Sequence, residues 1–244
     1  MEKQIAKANG RELSLEAIGS LEALGFEGWT GKDVVVPVLK LVQPTSRLDI
    51  TPGKFVDMQT FETFNELHAV FVKASFGRVY FENDSLLCKS YDRIVPASTI
   101  TAPPSQNCQS CQFAKWIGEV PPACKETLNT VLFTVNLKDE NFQLEFPYLW
   151  SVYGANLKPL KSVLSVFIVR KMPLWNKVVR MTPIKVDGAK GKYYIVKYEI
   201  AGDVPVEVQK NISEFARGVS SELIEKSFEE MSKEDSVNLD ELNF

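Results

Sequence analysis

Histidine is almost missing from this 244-residue chain, with His68 the single example. One imidazole leaves little room for Ser–His or Cys–His chemistry. The other common catalytic signatures are missing too: there is no G-x4-G-K-[ST] phosphate loop and no H-E-x-x-H metal pair. Acidic neighbours such as Asp139 and Glu140 read as solvated turn residues, so the expectation is a protein that is not an enzyme. Long apolar runs are also missing. No segment approaches the roughly 18 uninterrupted apolar residues of a membrane span, and Met1 to Gly10 holds no stretch like a signal peptide. These absences predict a chain that is neither exported nor inserted in a membrane. Cysteine is scarce, four in all, too few for a disulfide scaffold at this length. In the cytoplasm the thiols stay reduced and available to a metal.

What is present is enough apolar surface for a real core, 45% hydrophobic residues with 11% aromatic. Charge is unevenly spread. From Glu222 to Phe244 there are eight acids against Lys226 and Lys233, a local balance of −6; the net charge of −3 then leaves +3 on the other 221 residues. A mildly basic body with an acidic end points toward nucleic acid and an acidic interaction tail.

Hydrophobic periodicity predicts a mainly β, α+β chain. Leu13, Leu15, Ile18, Leu21 and Leu24 recur at helical spacing and stop at a glycine-rich loop, so residues 1–33 read as a helix and loop. Strands are predicted at 34–42, with Pro37 suited to an edge or bulge, and at 55–58. Leu67–Lys73 and Phe76–Glu82 are read as two strands of a possible hairpin, although Ala74-Ser75 lacks turn chemistry. Strands follow at 128–137, 143–150, 178–186 and 192–200, with helices at 156–172 and about 205–231. Residues 34–231 form the predicted core and 232–244 an acidic disordered tail.

Between Cys88 and Cys124 the periodicity disappears, and a long structureless stretch in a compact domain needs something to order it. Cys108-Gln-Ser-Cys111 is a C-x2-C knuckle, with Cys88 nineteen intervening residues upstream and Cys124 twelve downstream. One tight turn presents two sulfurs to a tetrahedral zinc, and four cysteines leave no open position for water, so the zinc would be structural. A redox pair or incidental buried cysteines are the other readings. His68 is an alternative ligand on a strand. A zinc deaminase is disfavoured, because Asn107 rather than proline precedes Cys108 and no catalytic glutamate element follows Cys88.

Strand alternation puts Phe76, Arg78 and Tyr80 on one face and Val79 and Phe81 on the other. Rings that stack on bases and cations that follow phosphates suit single-stranded nucleic acid. Phe71, Lys73, Lys192, Tyr193, Lys197 and Tyr198 are candidates to extend that surface. An ordinary sheet with aromatic cross-strand pairs is the competing reading. In the tail, Asp240, Glu241, Leu242 and Phe244 are candidates for docking into basic-rimmed apolar pockets of partner proteins, against a purely solubilising role.

The cysteine insertion between strands, the aromatic and basic strands and the acidic tail to Phe244 together resemble bacteriophage single-stranded DNA-binding proteins. The T-even type is nearest for the metal, and the bacterial and T-odd types for the tail. The resemblance implies an OB-like barrel with a zinc-stapled loop insertion (88–124) and peripheral helices. It also implies a role in coating exposed strands during replication or recombination in the bacterial host's cytoplasm, with replication or recombination proteins recruited through the tail. Where the T-even pattern uses three cysteines and a histidine, four cysteines stand here. The alternative is a protein-binding or virion assembly module with a structural zinc. A zinc-containing transcription regulator would need a recognition helix with clustered arginines, which is not seen. The sequence leaves oligomeric state open.

Overall fold

The computed structural model describes residue 27, residues 35–46, 48–82, 85–137, 142–188 and 191–219, and residue 224. The predicted N-terminal helix and the acidic tail, with Asp240, Glu241, Leu242 and Phe244, lie outside these residues. The chain is mixed α+β and mainly β. Its strands are β1 (Val38–Leu41), β2 (Phe55–Asp57), β3 (Thr63–Phe64), β4 (Leu67–Glu82), β5 (Ser85–Ser90), β6 (Lys125–Asn136), β7 (Gln143–Tyr153), β8 (Lys177–Gly188) and β9 (Gly191–Asp203). Among the described residues, two α-helices, α1 (Leu157–Val169) and α2 (Val206–Gly218), pack with these strands. Among the described residues no helix is long and apolar enough to cross a membrane.

All nine strands join one open sheet in the order β3-β2-β1-β7-β6-β4-β8-β9, with β5 also on β4. Every pairing is antiparallel except β1 with β7. Where a closed OB-like barrel is expected, the ladder instead ends at β3 and β9. β1 is an interior strand, not the predicted edge. Its neighbour Pro37 sits just before it, where no N–H is needed and its carbonyl accepts from Leu149 N at 2.8 Å.

The expected hairpin at residues 67–82 is one strand. Ala74 and Ser75 stay in the ladder opposite Thr130 and Asn129, because neither residue favours the positive φ of a tight turn. β4 is long enough to hold β8 at its start, through Ala69 opposite Val179, and β5 at its end, through Arg78 opposite Ser90.

Period-two alternation separates two apolar layers. Val38, Val56, Val70, Val131 and Leu149 face one side, where Ile212 and Phe215 of α2 pack. Their chain neighbours Leu39, Phe55, Phe71, Leu132 and Trp150 face the other. There α1 buries Leu160, Val163, Leu164 and Phe167, the i, i+3, i+4, i+7 stripe of an amphipathic helix.

The outer edge of β9 is capped by side chains. Gln43 accepts from Tyr194 N and donates to Tyr194 O, both at 2.9 Å. Asn156 accepts from Val196 N at 2.8 Å. Gly53, at φ +89°, lies against the Tyr194 ring, where a Cβ would stand 2.3 Å from Cε1, so a larger residue there would displace that ring.

Candidate nucleic-acid interface and cysteine pocket

Cys88 lies in β5; the chain leaves the sheet after Ser90 and returns to it at Lys125. Between them, backbone bonds pin the chain: Cys108 N donates to Ile94 O at 2.9 Å and Cys124 N to Phe113 O at 2.8 Å. The Asn107 side chain accepts from Gln109 N at 2.8 Å, which shapes the turn that carries Cys108 and Cys111. Phe113 stacks on Tyr80 with ring centres 4.7 Å apart.

All four cysteines are free thiols and buried, and they line one cavity of about 10 Å³ with Arg78, Tyr80 and Phe113. That is about the space of one small sphere. Burial, then the nearby Cys108 and Cys111, pushes the Cys88 thiol up. Cys124 is pushed up to about 11, by burial first, with Arg78 opposing and the other three cysteines adding to the rise. Soft sulfur ligands in this number suit zinc, and a dication would reverse the mutual repulsion of their thiolates. As the side chains stand, however, no three His, Cys, Asp or Glu residues among those described form a ready ligand set. The shared cavity fixes which residues are neighbours; bound metal would require the thiols to turn further inward.

The predicted nucleic-acid contacts are mostly elsewhere than on an open surface. Phe71 is fully buried. Lys73 is half-buried, its pKa lowered by that burial, and Nζ donates to Val219 O at 2.6 Å beyond the end of α2. The Phe76 ring is covered by the Arg93 guanidinium at 4.3 Å and the Lys161 ammonium at 4.7 Å. Tyr80 belongs to the cysteine pocket. Tyr198 is half-buried and accepts from Trp150 Nε1 at 3.0 Å; desolvation raises its pKa. Lys197 pairs with Glu199 at 2.9 Å, and Lys192 sits exposed at the end of the β8–β9 hairpin, opposite Asp187. Only Arg78 and Tyr193 remain in a ligand-sized groove.

That groove, of about 620 Å³, is lined from β1, β7, β6, β4 and β5, with Tyr193 and Tyr194 of β9 beside them. Lys40, Arg78 and Lys89 supply cations, and among the described residues no Asp or Glu lines it. Phe81 and Tyr153 form part of an aromatic rim, 45% and 52% exposed, with ring centres 6.5 Å apart. Tyr91, with the Lys89 ammonium 5.4 Å above its ring, joins them, as do Tyr193 and Tyr194. Buried Thr127 and Asn129 form a polar floor with Ser151. Alternation in β4 thus separates the two sets of side chains as expected, but the outward set is the one holding Val79 and Phe81. The sequence signal for Phe81 was present; deciding its face required knowing what covers the other one. Lys40, Lys89 and Tyr153 carry no local signal, because their grouping depends on strand order.

No protein-family model, curated protein or solved structure matches this chain.

Proposed function

We propose that this chain is a non-enzymatic single-stranded DNA-binding protein that coats exposed strands during replication or recombination, in a setting of the bacteriophage kind. The observation that carries the reading is the groove, where three cations and five partly exposed aromatic side chains line one cleft with no carboxylate among the described lining residues, in a chain of net charge −3. Cations there follow phosphates, and rings stack on unpaired bases, which a duplex keeps stacked inside. The OB-like comparison enters as an analogy of surface: a sheet presenting rings and cations to a strand, without need of a closed barrel.

In this reading Cys88, Cys108, Cys111 and Cys124 hold a structural zinc that fixes the loop behind β5. Asp240, Glu241, Leu242 and Phe244 recruit a replication or recombination partner. Fluorescence anisotropy with a labelled single strand and its duplex, at two salt concentrations, tests the central claim. Three phosphate contacts predict single-strand binding with a log–log salt slope of about −2. Equal binding to duplex, or no change with salt, overturns it.

A protein-binding or assembly role is the second reading. It is favoured by a tight turn in the cysteine loop where Ile117 and Val120 exchange backbone bonds across Gly118, while Trp116, Ile117 and Val120 stand 67%, 70% and 63% exposed. That reading predicts a stable assembly with no salt-sensitive DNA binding.

A further inference from the structure

Helix α2 decides how much of β4 is open on the groove side. Val70 and Val72 of β4, with Val131 of β6, share one buried cluster with Ile212 and Phe215 of α2, and Lys73 reaches Val219 just past the helix end. Farther along β4, Val79 and Phe81 line the groove instead. Alternation and register place one more cation on this face, outside the groove's own lining. Thr127 and Asn129 of β6 line the groove, and Lys125, two residues before Thr127, points to the same side. It is exposed. It stands opposite Val79, whose other flank stands opposite Lys89. The Cα atoms of the two lysines are therefore two strand spacings apart, about 10 Å. Among the described residues no carboxylate pairs with Lys125. Like charges on one row repel, and an anion between them removes that cost.

We infer that Lys125 is a further phosphate-binding residue, paired with Lys89 at the end of a path that crosses the sheet from Lys40. The inference rests on the single-strand reading of the same groove. Lys40 marks the other end: one residue past the Leu39–Trp150 pair it comes level with Ser151, which faces Asn129. The order β1-β7-β6-β4-β5 puts four strand spacings between Lys40 and Lys89. From Asn129 to Lys125 the path also moves roughly 13 Å along the strands, so its length is about 23 Å. A course along β4 is closed by α2 and the chain after it, which leaves the crossing over Tyr153 and Phe81. Nucleotides stacked at ~3.4 Å, or spread to ~7 Å where a ring separates two bases, fill this path with about four to eight residues of DNA.

A fourth contact takes the expected wild-type salt slope from about −2 toward −3. In anisotropy titrations of oligo-dT over a salt series, Lys125→Ala should lower the magnitude of that slope by about 0.7, the effect of one lost phosphate contact on a single strand. Lys125→Arg should restore it. Lys197→Ala, which removes an ammonium paired with Glu199, should leave it unchanged, and thermal melts check that each variant folds. Strand length tests the course. With oligonucleotide in excess, so that each strand carries one copy, affinity per available register should climb from dT3 to dT8 and then level off through dT16. An unchanged slope in Lys125→Ala, or affinity per register still climbing at dT16, overturns this path while leaving strand binding in place. No binding at any length overturns the single-strand reading itself.

Discussion

Arg78 shows how much a single side chain's position decides. It lines both the groove and the cysteine cavity, whereas Lys73, five residues earlier on the same strand, spends its ammonium on the Val219 carbonyl. Replacing Arg78 or Lys89 by alanine should weaken single-strand binding and reduce the magnitude of the salt slope by about 0.7 each. Lys73→Met should leave the slope unchanged and lower the melting temperature instead, a contrast read by titrating both variants beside the wild type. The aromatics divide in the same way. Tyr153→Ala should cost about 1–3 kcal/mol of binding with little change in folding, while Phe71→Ala, emptying the fully buried site between β6 and Tyr198, should cost about 3–5 kcal/mol of stability. Denaturant melts and DNA titrations on both variants separate the two effects. Phe71 was legible as a strand aromatic, whereas Tyr153 fell beyond the predicted strand 143–150; only their neighbours distinguish core from rim.

At the scale of elements, the loop after β5 is held to the sheet by Glu126 of β6, which receives Arg93 from the loop and Lys161 from α1. Burial works against ionising Glu126, but Lys161 and Arg93 outweigh it, and its pKa lies below the ordinary carboxylate value. A depressed folded-state pKa contributes stability that is present above the unfolded value of about 4.3 and lost as pH falls through the folded one. Partly exposed pairs of this kind contribute about 1 kcal/mol or less. Glu126→Gln should therefore lower the melting temperature modestly at pH 7, and the gap from wild type should close as the pH drops below about 4. The cysteine loop supplies the other element-scale expectation. Elemental analysis should find one zinc per chain, and chelation should destabilise residues 88–124 first, seen as faster proteolysis between Cys88 and Cys124 than in the sheet. A chain purified without metal and equally resistant to protease would remove zinc from the account.

At the scale of the whole sheet, β9 has no strand partner on its outer edge among the described residues, and Gln43 and Asn156 satisfy that edge by side-chain bonds. An exposed edge invites pairing with another chain. Asn156→Ala removes the acceptor for Val196 N and should cost about 1–3 kcal/mol, with self-association rising with concentration in sedimentation runs. An unchanged melting temperature and a single monomeric species would show that the edge needs no such cap. The amide caps could not be read from the chain, since Gln43 and Asn156 lie 151 and 38 residues from Tyr194.

Local regularities were open to reading from the sequence: the strands after residue 124, the helix at 157–169, the four cysteines as one group around an irregular loop, and the alternation of side chains along β4. These depend on spacing within a few residues, which periodicity and turn chemistry report directly. The fusion of residues 67–82 into one strand, the open sheet, the outward face of β4 and the groove itself were decided by tertiary structure. Each depends on which strands become neighbours, and strand order places Lys40, Arg78, Lys89 and Tyr153 together from segments whose separation along the chain carries no mark of their meeting.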